Sequence, residues 1–141
     1  FFFPLGPILK SLGGIPIDRS TKGGMVSKMT QLYTDYDKMV LMITPEGTRS
    51  YSPEWKKGFY HIANNAQIPI SLGYLDYGKK HAGIGPLVYP TGDYEADLKV
   101  IQDFYKGIEA KFPEKGVRWL FNSKFKANAM YIDNLYVFIL T

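Results

Sequence analysis

Apolar residues recur at helical spacing over residues 25–36, where Met25, Val26, Met29, Leu32, Tyr33 and Tyr36 share one face. The pattern predicts an amphipathic helix, with Ser20 or Thr21 near its start as a cap. Phe59, Ile62, Ala63 and Ala66 mark a second helix. Tyr94, Leu98, Ile101, Tyr105 and Ile108 mark a third, which Asp93 is placed to cap. A short helix is also expected over residues 7–12. Between these stripes lie extended runs. Ile15-Pro16-Ile17 is short and pushed out of the helical region by its proline. Met39 to Thr44 is continuously apolar, as a buried parallel strand is. Ile68 to Leu75 and Gly83 to Tyr89 read as two further strands. Strands alternating with helices predict an α/β fold, a mostly parallel sheet flanked by helices.

The punctuation changes once. All 14 glycines and all 9 prolines fall within residues 1–116, and the stretch from Arg118 to Thr141 is rich in aromatics instead. We therefore expect a globular part over residues 1–117 and a tail of different character over 118–141. The tail's apolar stretch from Tyr131 to Leu140 is short and interrupted by Asp133, so it does not span a membrane. The opening stretch, Phe1 to Leu9, is about half the roughly 18 residues a spanning helix needs. It reads equally as an interfacial segment next to Lys10 or as part of a core.

Composition narrows the chemistry. The 141 residues include no cysteine, which excludes disulfides, thiolate metal sites and a cysteine nucleophile. Only His61 and His81 are present, so no histidine-rich metal site is expected and no metal ligand is assigned. Net charge is +4, which suits anionic ligands or an anionic membrane surface and is too weak to argue for nucleic acid.

Ligands in open α/β sheets gather beyond the carboxyl ends of strands. Two loops should lie there. Pro45-Glu46-Gly47-Thr48-Arg49-Ser50 follows the Met39–Thr44 run. Its Pro45 stops the strand, Gly47 allows positive φ or close approach of a ligand, and Arg49 carries a donor fork suited to phosphate. A surface turn in which Glu46 and Arg49 pair with each other is the plain alternative. The other loop, Asp18-Arg19-Ser20, precedes the first long helix and repeats the pairing of an arginine with hydroxyls. Two such loops point to a phosphate-bearing ligand.

Three strings now read together: Leu12-Gly13-Gly14-Ile15-Pro16-Ile17-Asp18-Arg19-Ser20, then Ile43-Thr44-Pro45-Glu46-Gly47-Thr48-Arg49-Ser50, then Ile68-Pro69-Ile70. In order and spacing they resemble successive blocks of the glycerolipid acyltransferases, the 1-acylglycerol-3-phosphate acyltransferase family. Trp55-Lys56-Lys57-Gly58 resembles the lysine–glycine segment that often follows the third block. The resemblance covers residues 1 to about 116 and implies that family's fold, with its first part missing.

It also implies an activity: transfer of a fatty acyl group from acyl-coenzyme A or acyl carrier protein to a hydroxyl of a lysophospholipid or glycerol phosphate, in phospholipid synthesis. No bound cofactor is implied. Arg19 and Arg49 would hold the acceptor's phosphate, Glu46, Gly47 and Thr48 would shape its site, and Pro69 belongs to the fourth block. A second proline expected beyond Pro69 is replaced by Ser71-Leu72-Gly73. In the family a histidine and an aspartate separated by four residues form the catalytic pair, the histidine taking the proton of the acceptor hydroxyl. Neither histidine fits, since Ala66 follows His61 and Pro86 follows His81 at that spacing. The pair is expected upstream of Phe1, no catalytic residue is assigned within the chain, and the chain alone is expected to be inactive. The alternative is a non-catalytic phosphate- or lipid-binding module. Either way an amphiphilic ligand implies a membrane-associated protein, expected at the cytoplasmic face.

Overall fold

A computed structural model describes residues 5–15, 24–47 and 54–109. The expected tail over 118–141 lies outside the described residues. Among the described residues, four helices and two strands follow in order: α1 (Leu5–Ser11), α2 (Met25–Asp35), α3 (Gly58–Ala66), β1 (Ile70–Asp76), β2 (His81–Val88) and α4 (Tyr94–Tyr105).

The helices begin and end where local chemistry directs. Asp93 caps α4, its carboxylate accepting from the N–H groups of Glu95 and Ala96 at 3.1 Å each. Glu95 and Asp97 in the first turn add negative charge at the positive end of the helix dipole. Gly24 occupies the N-cap of α2 without a side-chain bond, a position glycine tolerates well, and the expected caps Ser20 and Thr21 lie outside the described residues. At the end of α3, Gln67 turns left-handed at φ 55°. That conformation costs a non-glycine residue about 1–2 kcal/mol. It is held by the bond from Ile68 N–H to Ala63 O at 3.1 Å and by Gln67 Nε2 donating to Asn64 O at 2.6 Å.

The mostly parallel sheet expected from the alternation of elements is not what the described residues form. They hold one two-stranded sheet, in which β1 and β2 pair antiparallel from Ile70 opposite Val88 to Asp76 opposite His81. The connection decides the direction. Only Tyr77, Gly78, Lys79 and Lys80 lie between the strands, whereas a parallel crossover needs about a dozen residues or more. Asp76 Oδ1 accepts from Lys79 N–H at 2.9 Å and fixes this turn. The register slips between Ser71 and Gly73, where Gly85 and Pro86 together face Leu72. Pro86 has no N–H for a ladder, and a bulge accommodates it.

The Met39–Thr44 run forms no ladder among the described residues. Met39, Leu41 and Ile43 are half-buried while Val40, Met42 and Thr44 are exposed, so the run presents one face inward rather than two.

The core joins Met29 of α2, Phe59, Tyr60, Ile62 and Ala63 of α3, Ile70 and Leu72 of β1, and Ile101 and Tyr105 of α4. The first four residues of β1 are all buried. Tyr105 crosses to β1 and donates its hydroxyl to Gly73 O at 2.9 Å. Phe104 lies against Gly85, where a Cβ would run into its ring, so the close approach of α4 to β2 uses the glycine at residue 85. Among the described residues no helix is long and apolar enough to cross a membrane.

Candidate functional site

The extended run from Met39 ends in a tight turn. Gly47 N–H donates to Thr44 O at 3.0 Å, and Gly47 takes φ +63°, the left-handed region that favours glycine. Pro45 is buried beneath the turn. The chain then returns, and Lys56 N–H donates to Pro45 O at 2.8 Å. Residues eleven apart in sequence are thereby tied together just before the start of α3.

Glu46 points inward rather than to solvent. It is 3% exposed, and its Oε1 accepts from Trp55 Nε1 at 3.1 Å. Trp55 meets Phe59 edge-on at 6.2 Å and Tyr105 edge-on at 6.0 Å between ring centroids. The carboxylate therefore holds the turn to an aromatic cluster that also anchors α4. Burial, with the nearby Glu46 charge second, pushes the Tyr105 phenol well above its ordinary range, so it stays a protonated donor to Gly73.

Beside the turn opens a cavity of about 530 Å³. Met25, Val26 and Met29 of α2 form one wall; Leu41 and Ile43 form another; Phe59 and Ile62 of α3 close the floor. Gly47 and Lys56 stand at its edge. The lining is aliphatic, aromatic and thioether throughout, apart from Thr44 and the Lys56 ammonium. A cavity of this kind takes an apolar chain and offers one cation to whatever head it carries.

Of the residues expected from sequence, Glu46 and Gly47 are brought together here. Pro69 is half-buried between α3 and β1 and does not line the cavity. Arg19, Thr48 and Arg49 lie outside the described residues. Neither histidine reaches the cavity: His61 is exposed on α3, and His81 is exposed on β2, where its Nδ1 lies 3.2 Å from the Tyr74 hydroxyl. Two features escaped the sequence patterns. The Glu46–Trp55 bond joins residues that no periodicity relates, and the two adjacent lysines separate. Lys57 turns to α4, 3.6 Å from Glu95 and 4.3 Å above the Tyr94 ring, while Lys56 turns to the cavity. Only the Trp-Lys-Lys-Gly string signalled this segment at all.

A second network fastens α3 to α4. Tyr60 donates to Asp97 Oδ2 at 2.7 Å, and Thr91 donates to the same carboxylate through its N–H at 2.7 Å and its hydroxyl at 3.0 Å. Gly92 N–H donates to the Tyr60 oxygen at 3.1 Å. Burial alone would raise the Asp97 pKa, but these donors outweigh it and hold the carboxyl below its ordinary 3.8.

Comparison with known proteins adds one match. A family model described as Acyltransferase matches residues 1–71, a stretch that contains α1, α2, α3, the Pro45–Gly47 turn and every residue lining the cavity. No curated protein and no solved structure matches the chain.

Proposed function

The chain belongs to the acyltransferase family, and from that premise we propose that it serves fatty acyl transfer to a phosphate-bearing acceptor in phospholipid synthesis. The donor in this proposal is acyl-coenzyme A or acyl carrier protein, and the acceptor is a lysophospholipid or glycerol phosphate. The acceptor hydroxyl attacks the thioester carbonyl, the C–S bond breaks, and sulfur leaves as a thiolate that finally takes up the proton the hydroxyl gave up. The proton of that hydroxyl goes to a histidine paired with an aspartate, and neither His61 nor His81 has the required partner.

The observation that carries the proposal is the apolar cavity set against the Pro45-Glu46-Gly47 turn. It supplies the two things an acyl-chain amphiphile asks of a protein, a non-polar trough and a polar edge. Glu46 serves the site by fixing the turn through Trp55. Arg19, Thr48 and Arg49 complete the phosphate end in this proposal, and Pro69 supports the start of β1. A membrane surface, at its cytoplasmic face, is where such an acceptor resides. The exposed Ile8 and Leu12, flanking Lys10 on and just beyond α1, suit contact with it.

The test is equilibrium binding of labelled lysophosphatidic acid to the chain, below the lipid's micellar concentration. Saturable binding displaced by unlabelled lysophosphatidic acid is the expected result. Absence of saturable binding contradicts the proposal.

A further inference from the structure

Lys56 is set apart from the other cations near the cavity. Its backbone is fixed by the bond to Pro45 O, and its side chain runs across the face of Gly47. A Cβ at residue 47 would stand 3.1 Å from both Cδ and Nζ of Lys56. Glycine at that position thus does two jobs: it permits the left-handed turn, and it leaves the space over which the lysine stem lies. Lys57 is engaged with Glu95 and Tyr94, whereas Lys56 Nζ forms no ion pair among the described residues. Lys56 and Gly47 are exposed, while Met29, Phe59 and Ile62 are buried. The ammonium therefore stands at the solvent end of a trough that is apolar apart from Thr44.

An apolar trough ending in one uncommitted cation matches a molecule with an acyl chain at one end and an anion at the other. We propose that Lys56 binds the phosphate of the acyl acceptor, an assignment that rests on the function proposed above. Lys56 contributes a strongly hydrated point charge to that phosphate. Its neighbour Lys57 takes no part.

The experiment is calorimetric titration of the full chain with three probes: lysophosphatidic acid, a monoacylglycerol of the same chain length, and coenzyme A. Lys56→Ala should weaken lysophosphatidic acid binding about ten-fold, the scale of one charge-assisted contact. It should leave monoacylglycerol and coenzyme A unchanged. Lys56→Arg should restore most of the loss because it keeps the charge. Lys57→Ala should bind lysophosphatidic acid as the unsubstituted chain does. Undiminished lysophosphatidic acid binding in Lys56→Ala overturns the assignment and leaves the proposed function standing. A loss confined to coenzyme A also overturns it, since the phosphate would then belong to the donor. Failure of the unsubstituted chain to bind lysophosphatidic acid removes the proposed function and the assignment together. Thermal melting of Lys56→Ala should match the unsubstituted chain, because the substituted side chain is exposed.

Discussion

A buried carboxylate is costly unless donors reach it, and the indole of Trp55 donates to Oε1 of the buried Glu46. The bond places a structural demand where the family pattern places a site. Trp55→Phe keeps a ring against Phe59 and Tyr105 but removes the donor to Glu46. Loss of a buried charge-assisted bond costs about 1–3 kcal/mol. We expect the denaturant midpoint to fall accordingly and lysophosphatidic acid binding to weaken with it, because the Pro45–Gly47 turn loses its anchor. An unchanged midpoint would show that the bond contributes nothing to the turn. Glu46 and Gly47 were legible in sequence as members of a turn that ends an apolar run. The inward direction of Glu46 was not, because it depends on a partner nine residues further along, brought close by the Lys56–Pro45 bond.

At the scale of elements, α4 is the clearest success of pattern and α2 of periodicity. Asp93 caps α4 as its position before the apolar stripe requires, and Met25 opens α2. The antiparallel pairing seen among the described residues, where a mostly parallel sheet was expected, has a specific cause. Alternation of apolar runs identifies strands but not their direction, which is set by the length of the connection, and the turn between Asp76 and His81 is too short for a crossover. The Met39–Thr44 run misled in another way: a run of apolar residues resembles a strand buried on both faces, yet alternate residues here are exposed.

The same scale carries a prediction about pH. The Asp97 carboxyl ties α3 to α4, and its pKa in the folded protein lies below the ordinary 3.8. A depressed carboxylate pKa stabilises the folded state fully above the unfolded value and loses that contribution as pH falls through the folded value. Asp97→Asn should therefore lower the melting temperature near neutral pH, by a stability loss of about 1–3 kcal/mol. The gap between the two proteins should narrow as pH drops below 3.8. A gap that stays constant as pH falls well below 3.8 would mean the charge of Asp97 is not what the donors hold.

At the scale of the whole molecule, membership of the acyltransferase family and the cavity coincide in the same part of the chain: the matched residues 1–71 contain the entire cavity lining. The β-hairpin and α4 lie largely beyond that stretch, and α4 braces it through Tyr105 against Trp55 and Asp97 on Tyr60. The central claim is that this cavity holds the acyl chain of a phosphate-bearing acceptor. Photo-crosslinking with a lysophosphatidic acid carrying a diazirine at the far end of its acyl chain tests it most directly, with adducts located by peptide mass spectrometry. Adducts within residues 25–29, 41–44 and 59–62, lost on adding unlabelled lysophosphatidic acid, are the predicted result. Competed adducts on the exposed residues Ile84, Leu87 and Tyr89 instead, with none in the cavity, would contradict it.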